Sequence, residues 1–153
     1  MSSAAEARFR VQAPNSTPRA IRVIALDAAG EAVVRRLADG GWQHTTFLTA
    51  AANREPVALS DLAGGIRSVT EEVQAADLVV FVAGPGGHAQ TVSLIGEACS
   101  VRHVNTTGFV VGVASASEHA MSKTLAQLRP WSLMMVIARS DDYIDDMMTA
   151  LRA

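Results

Sequence analysis

Short runs of apolar residues punctuate the chain at Ile21–Leu26, Thr45–Thr49, Leu78–Val82, Phe109–Val113 and Leu133–Ala138. They lack the polar alternation of a sheet with one wet face, so each predicts a strand covered on both sides, as in a parallel sheet. Val57–Leu59 predicts a further, short edge strand. Between these runs the apolar residues take helical spacing instead.

Ala32, Val33, Val34 and Leu37 form one stripe, which Asp39-Gly40-Gly41 stops. Ser68-Val69-Thr70-Glu71 is a capping-box pattern, in which serine and glutamate satisfy free N–H groups at a helix start, so a helix is predicted over Val69–Ala75. Further helices are predicted over Thr91–Cys99, over Glu118–Leu128 (closed by Pro130) and over Asp142–Leu151. The last places Tyr143, Ile144, Met147, Met148 and Leu151 on one face. Residues 1–19, rich in Ala, Ser, Pro and Arg, show no period and predict a flexible tail. Strand–helix alternation over 20–153 predicts a single α/β domain: a three-layer, doubly wound, mostly parallel, Rossmann-like sheet.

Composition narrows the function classes. With 153 residues, 49% of them hydrophobic, the chain holds one domain with a real core. A net charge of -2 gives no electrostatic argument for nucleic acid or an anionic membrane, and 5% aromatics argue against a base-stacking surface. The single cysteine, Cys99, fits a reducing compartment. No signal-peptide pattern or membrane-length apolar run is present, so the expected location is the cytoplasm.

The scattered reactive side chains carry plain readings. Cys99 with His103 could form a nucleophile pair, against a small apolar residue on a buried helix face. His44, His103 and His119 lack metal-ligand spacing, so no metal site is expected. Asp141 and Asp142 suit the positive end of the helix dipole, while Asp145 and Asp146 belong to its solvated face. The pairs Met134-Met135 and Met147-Met148 read as core or interface filler, and Trp42 and Trp131 as covers for sheet edges.

In a sheet of this kind ligands bind at the carboxyl ends of the strands, where strand order reverses. Two loops matter there: Leu26-Asp27-Ala28-Ala29-Gly30-Glu31-Ala32 after the first strand, and Ala83-Gly84-Pro85-Gly86-Gly87-His88-Ala89-Gln90-Thr91 after the third. A carboxylate at Asp27 repels a phosphate by about 1 to 4 kcal/mol at contact, depending on local dielectric. Its favoured role is therefore the N-cap of the first helix, worth about 1 kcal/mol. His88, at the loop tip, could act as acid, base or anion contact, against an exposed loop histidine.

These segments resemble the FtsZ/tubulin family. "IRVIALDAAGEAVVRRL" is similar to the family's opening strand and glycine-rich turn, and "AADLVVFVAGPGGHAQTVSLIGEA" to its signature segment with the GGGTGTG loop. "FLTAAAN" resembles the second strand, and "FVVGVAS" and "SLMMVIARSDDYIDDMM" the later strands and the helix after them. The likeness runs in order from Ala20 to Leu151 and implies the nucleotide-binding half of an FtsZ-like protein, with Gly30, Gly84, Gly86, Gly87, His88 and Thr91 as the residues toward a nucleotide.

The departures are equally informative. The family's Thr-Gly-Thr-Gly corresponds to Ala89, Gln90, Thr91 and Val92, so side chains replace glycines that let main-chain N–H groups approach phosphate. Pro85 has no N–H to offer. The turn after strand two becomes Ala51-Ala52-Asn53, and the given sequence stops at Ala153, before the family's central helix and second domain. The resemblance thus implies lost GTP hydrolysis and lost head-to-tail polymerisation.

Two readings follow. One is a non-catalytic binding or scaffold protein, an expected homodimer or protein-partner module without a cofactor. The other is a nucleotide- or small-anion-binding protein or enzyme that uses the Gly84–Thr91 loop, with weak GTP or GDP binding as its form.

Overall fold

A computed structural model describes residues 19–50, 58–86, 91–112, 117–139 and 141–151. The strands are β1 (Ile21–Ala25), β2 (Thr45–Ala50), β3 (Leu59–Asp61), β4 (Ile66–Arg67), β5 (Leu78–Ala83), β6 (Asn105–Val110) and β7 (Met134–Ile137). The helices are α1 (Ala28–Ala38), α2 (Val69–Gln74), α3 (Val92–Val101), α4 (Glu118–Leu128) and α5 (Asp141–Ala150), with a 3-10 turn at Arg129–Trp131. The predicted tail, apart from Arg19, lies outside the described residues. Among the described residues no helix is long and apolar enough to cross a membrane.

The strands form one seven-stranded sheet in the order β4-β3-β2-β1-β5-β6-β7. β2, β1, β5, β6 and β7 run parallel, while β3 and β4 pair antiparallel as a hairpin at one edge. The architecture is therefore α/β with a mostly parallel, Rossmann-like sheet. At its centre all six residues of β5 are buried, as expected of a strand flanked by parallel neighbours and covered above and below. Val79, Phe81 and Ala83 join a core cluster with Val73 of α2, Ile95 and Cys99 of α3 and Leu128 of α4. Leu78, Val80 and Val82 point the other way, to Val34 and Leu37 of α1 and to Ile144 and Met148 of α5. Fully burying a side chain the size of Phe81 stabilises by about 1.5–3 kcal/mol, so this alternation anchors helices to both faces.

Two expected elements move. The strand expected at Phe109–Val113 begins earlier, at Asn105, and ends at Val110. Its polar start is accommodated because Thr106 Oγ1 donates to Trp131 O at 2.6 Å and accepts from Leu133 N at 3.2 Å. The edge strand expected at Val57–Leu59 is Leu59–Asp61, with Val57 outside the described residues. Its hairpin partner β4 is too short to carry a period, and Ile66 is exposed.

Across the sheet, Arg22 of β1 meets Glu72 of α2 at 2.7 Å, and Arg67 of β4 approaches the same carboxylate at 3.3 Å. Two cations thus balance one nearly buried anion and tie α2 to the hairpin edge. Asp145 is not simply solvated: it is half-buried and pairs with Arg36 of α1 at 3.3 Å.

Candidate functional site

Strand order reverses between β1 and β5, since the chain leaves β1 toward β2 on one side and β5 toward β6 on the other. The helices that follow, α1 and α3, pack into different core clusters and leave between them the crevice that usually receives a ligand. Among the described residues, the turns that border it are bonded to one another.

Asp27 caps α1 from an extended backbone, as the residue after an apolar strand and before a helical stripe should. Its Oδ1 accepts from Gly30 N at 2.8 Å. The same carboxylate also accepts from Gly84 N, at 3.1 Å to Oδ1 and 3.0 Å to Oδ2, so it clamps the first turn to the loop after β5. An anion held by main-chain amides at a helix N-terminus is what such a turn offers a phosphate, and Asp27 supplies that anion from within.

The two flanking glycines are explained by close packing. A Cβ on Gly30 would lie 2.2 Å from Val82 O, so only glycine lets α1 start against β5. A Cβ on Gly84 would lie 2.5 Å from the Cβ of Ala29, a methyl that already fills the gap between the loops. Gly86 takes φ +79°, a left-handed conformation that glycine adopts freely. Its N–H donates to Thr124 Oγ1 at 3.0 Å, and Thr124 in turn donates to Gly84 O at 3.4 Å. With Pro85 lacking an N–H, every main-chain donor of residues 84–86 is satisfied internally.

Gly30, Gly84 and Gly86 are thus brought together around Asp27 and Thr124, while Gly87 and His88 lie outside the described residues. Thr91 stands apart. It is the N-cap of α3, is 7% exposed and makes no side-chain cap bond, and among the described residues its buried Oγ1 has no hydrogen-bond partner. Thr124 is the residue that sequence reasoning missed. The signal available was a threonine inside the apolar stripe Met121, Leu125 and Leu128, a polar group that must find a partner once buried.

The Cys99–His103 pair does not form a nucleophile. Cys99 is buried on α3, and burial pushes its thiol up to about 11, far from the thiolate that reactivity requires. His103 is exposed at φ +57°, just past the end of α3. There His103 N donates to Ser100 O and Val104 N to Cys99 O, the paired closing bonds of a Schellman motif, with histidine in the position glycine usually takes. Both residues border a groove of about 470 Å³ with Asn105, Trp131 and Leu133, at the amino ends of β6 and β7. Trp131 packs onto Gly96, where a Cβ would come within 2.7 Å of it.

No protein-family model matches the chain, and a search of curated proteins finds no match either.

Proposed function

We propose that the chain is a non-catalytic binding or scaffold protein, an FtsZ-like three-layer α/β module whose nucleotide crevice is sealed by its own side chains. The carrying observation is the Asp27 carboxylate on the amides of Gly30 and Gly84. A phosphate entering there meets a like charge and finds both donors engaged, while the Ala29 methyl lies close to Gly84 and Thr124 takes the Gly86 amide. Neither GTP hydrolysis nor nucleotide-driven polymerisation is part of this reading. Isothermal titration with GTP, GDP and NAD tests it: no saturable heat is expected. Micromolar affinity with turnover would remove the reading.

One observation favours the second reading, a small-anion or nucleotide site on the Gly84–Thr91 loop. The buried hydroxyl of Thr91 lacks a partner at the start of α3, where the helix dipole also favours an anion. Titration of inorganic phosphate followed by amide NMR distinguishes the two. Shifts at Val92–Ile95 that vanish in Thr91→Val belong to the second reading, and a silent spectrum to the first.

A further inference from the structure

The groove at the amino ends of β6 and β7 lies on the opposite rim of the sheet from the Asp27 crevice. Its volume of about 470 Å³ falls within the range of small-molecule sites, about 300–1,000 Å³. Pro130, Trp131 and Leu133 supply apolar surface, and the bare backbone of Gly96 leaves room for Trp131. Ser100, His103 and Asn105 supply polar groups. All three are exposed, and among the described residues none of their side chains forms a hydrogen bond. A few uncommitted polar groups set among apolar ones are the usual makeup of a ligand pocket.

The backbone at His103 singles this residue out. It alone among the described non-glycine residues takes a positive φ, +57°, in the place where a helix ordinarily ends on glycine. Histidine there carries backbone strain that glycine would not, and such strain is found where function requires the side chain. The bonds that close α3 use only main-chain atoms of His103 and Val104, so the imidazole takes no part in them. The cap accounts for the conformation and leaves the choice of histidine to the groove.

The lining also limits what the groove can hold. Among the described residues no Asp, Glu, Lys or Arg lines it, so a strongly charged ligand finds no full counter-charge. A hydroxyl, a carboxamide and a neutral imidazole each both donate and accept. Their complement is an edge that carries a donor beside an acceptor, such as the N–H and C=O of a cyclic amide. The half-buried Trp131 adds an aromatic surface that favours a planar ring. We infer that the groove binds a neutral, planar heteroaromatic molecule with an amide-type donor–acceptor edge, held by Trp131, His103 and Asn105. The site is remote from Asp27, so it stands whether or not the crevice there admits a nucleotide.

Hypoxanthine, a neutral purine with a lactam edge, is the probe, added to the full chain and followed by amide NMR. Saturable shifts are expected within residues 96–106 and 131–133, and none at 28–31 or 84–86. His103→Gly should weaken the affinity about two- to tenfold, the loss of one neutral hydrogen bond, while the melting temperature holds or rises. Those opposite responses separate a ligand contact from a residue that only closes the helix. Asn105→Ala, at an exposed position, should weaken binding by a similar factor with the circular dichroism spectrum unchanged. Cyclohexanecarboxamide keeps the amide without the flat ring, and benzoate keeps the ring but adds a charge. Each should bind about tenfold more weakly than hypoxanthine. A silent spectrum at millimolar probe overturns the inference, as do variants that bind like the wild type or controls that bind like hypoxanthine. Shifts confined to the crevice overturn it too, and remove the sealed-crevice reading with it.

Discussion

The carboxyl-end crevice and the outer face of α3 are opposites. In the crevice the described donors are engaged, a methyl fills the gap between loops, and glycines serve packing. On and just after α3, two charges, Glu97 and Arg102, form no ion pair among the described residues, and two large apolar side chains, Leu94 and Val101, face water. The described turns at the carboxyl ends hold the fold together, and exposed apolar and charged side chains collect on a helix surface. A fold's customary binding place and a protein's actual free valences can therefore separate, and only the hydrogen-bond partners reveal it.

Substitutions should divide along the same line. The largest effect is expected from Gly30→Ala, whose methyl would collide with Val82 O. It should cost about 3 kcal/mol or more in chemical denaturation, and a near-wild-type midpoint would mean that α1 can lift off β5 freely. Asp27→Ala follows, at about 2 to 3 kcal/mol, since it removes an N-cap and strands the Gly84 N–H. If it also creates phosphate affinity, the carboxylate is the plug; a loss under about 0.5 kcal/mol would deny it any clamping role.

His103→Gly should stabilise by about 0.5 to 1 kcal/mol, because glycine takes the left-handed C-terminal position without strain. Val101→Ser should change stability by no more than about 0.5 kcal/mol, as its side chain is exposed. A larger loss would show Val101 to be part of the core and blur the contrast with Gly30.

The smallest effect belongs to the β3–β4 turn, far from both regions. Asp61 accepts from Gly65 N at 2.8 Å and Ala63 N at 3.0 Å, and its carboxyl lies below its ordinary value of 3.8, first through the Gly65 bond. A carboxylate depressed in the folded state favours folding at pH above the unfolded value and loses that contribution as pH falls through the folded one. The Gly65 amide resonance should therefore shift upfield below pH 3.8 while core amides hold their positions.

Much of the frame was legible because it depends on neighbours in sequence. Asp27 declared itself as a cap by following an apolar strand and preceding a helical stripe, and Ser68 likewise accepts from Glu71 N at 3.4 Å. What was hidden depends on residues far apart in the chain. Nothing near Asp27 announces that Gly84 will donate to it, and nothing near Thr124 announces Gly86. The polar opening of β6 masked a strand because its threonine is satisfied by the backbone of Trp131 and Leu133. The exposure of Leu94 and Val101 is likewise not written in their neighbours, because only the placement of the helix shows which side of Val92–Val101 faces out.

The far rim of the sheet has a consequence of its own. Among the described residues β7 has no strand beyond it, and Met134-Met135-Val136-Ile137 contains neither a charge nor a proline to discourage a newcomer. Its unspent main-chain amides and carbonyls make it the seam along which heated molecules would zip together, sooner than at the two-residue rim of β4. A lysine in place of Met134 should delay the onset of turbidity on warming, leaving the melting temperature nearly where it was.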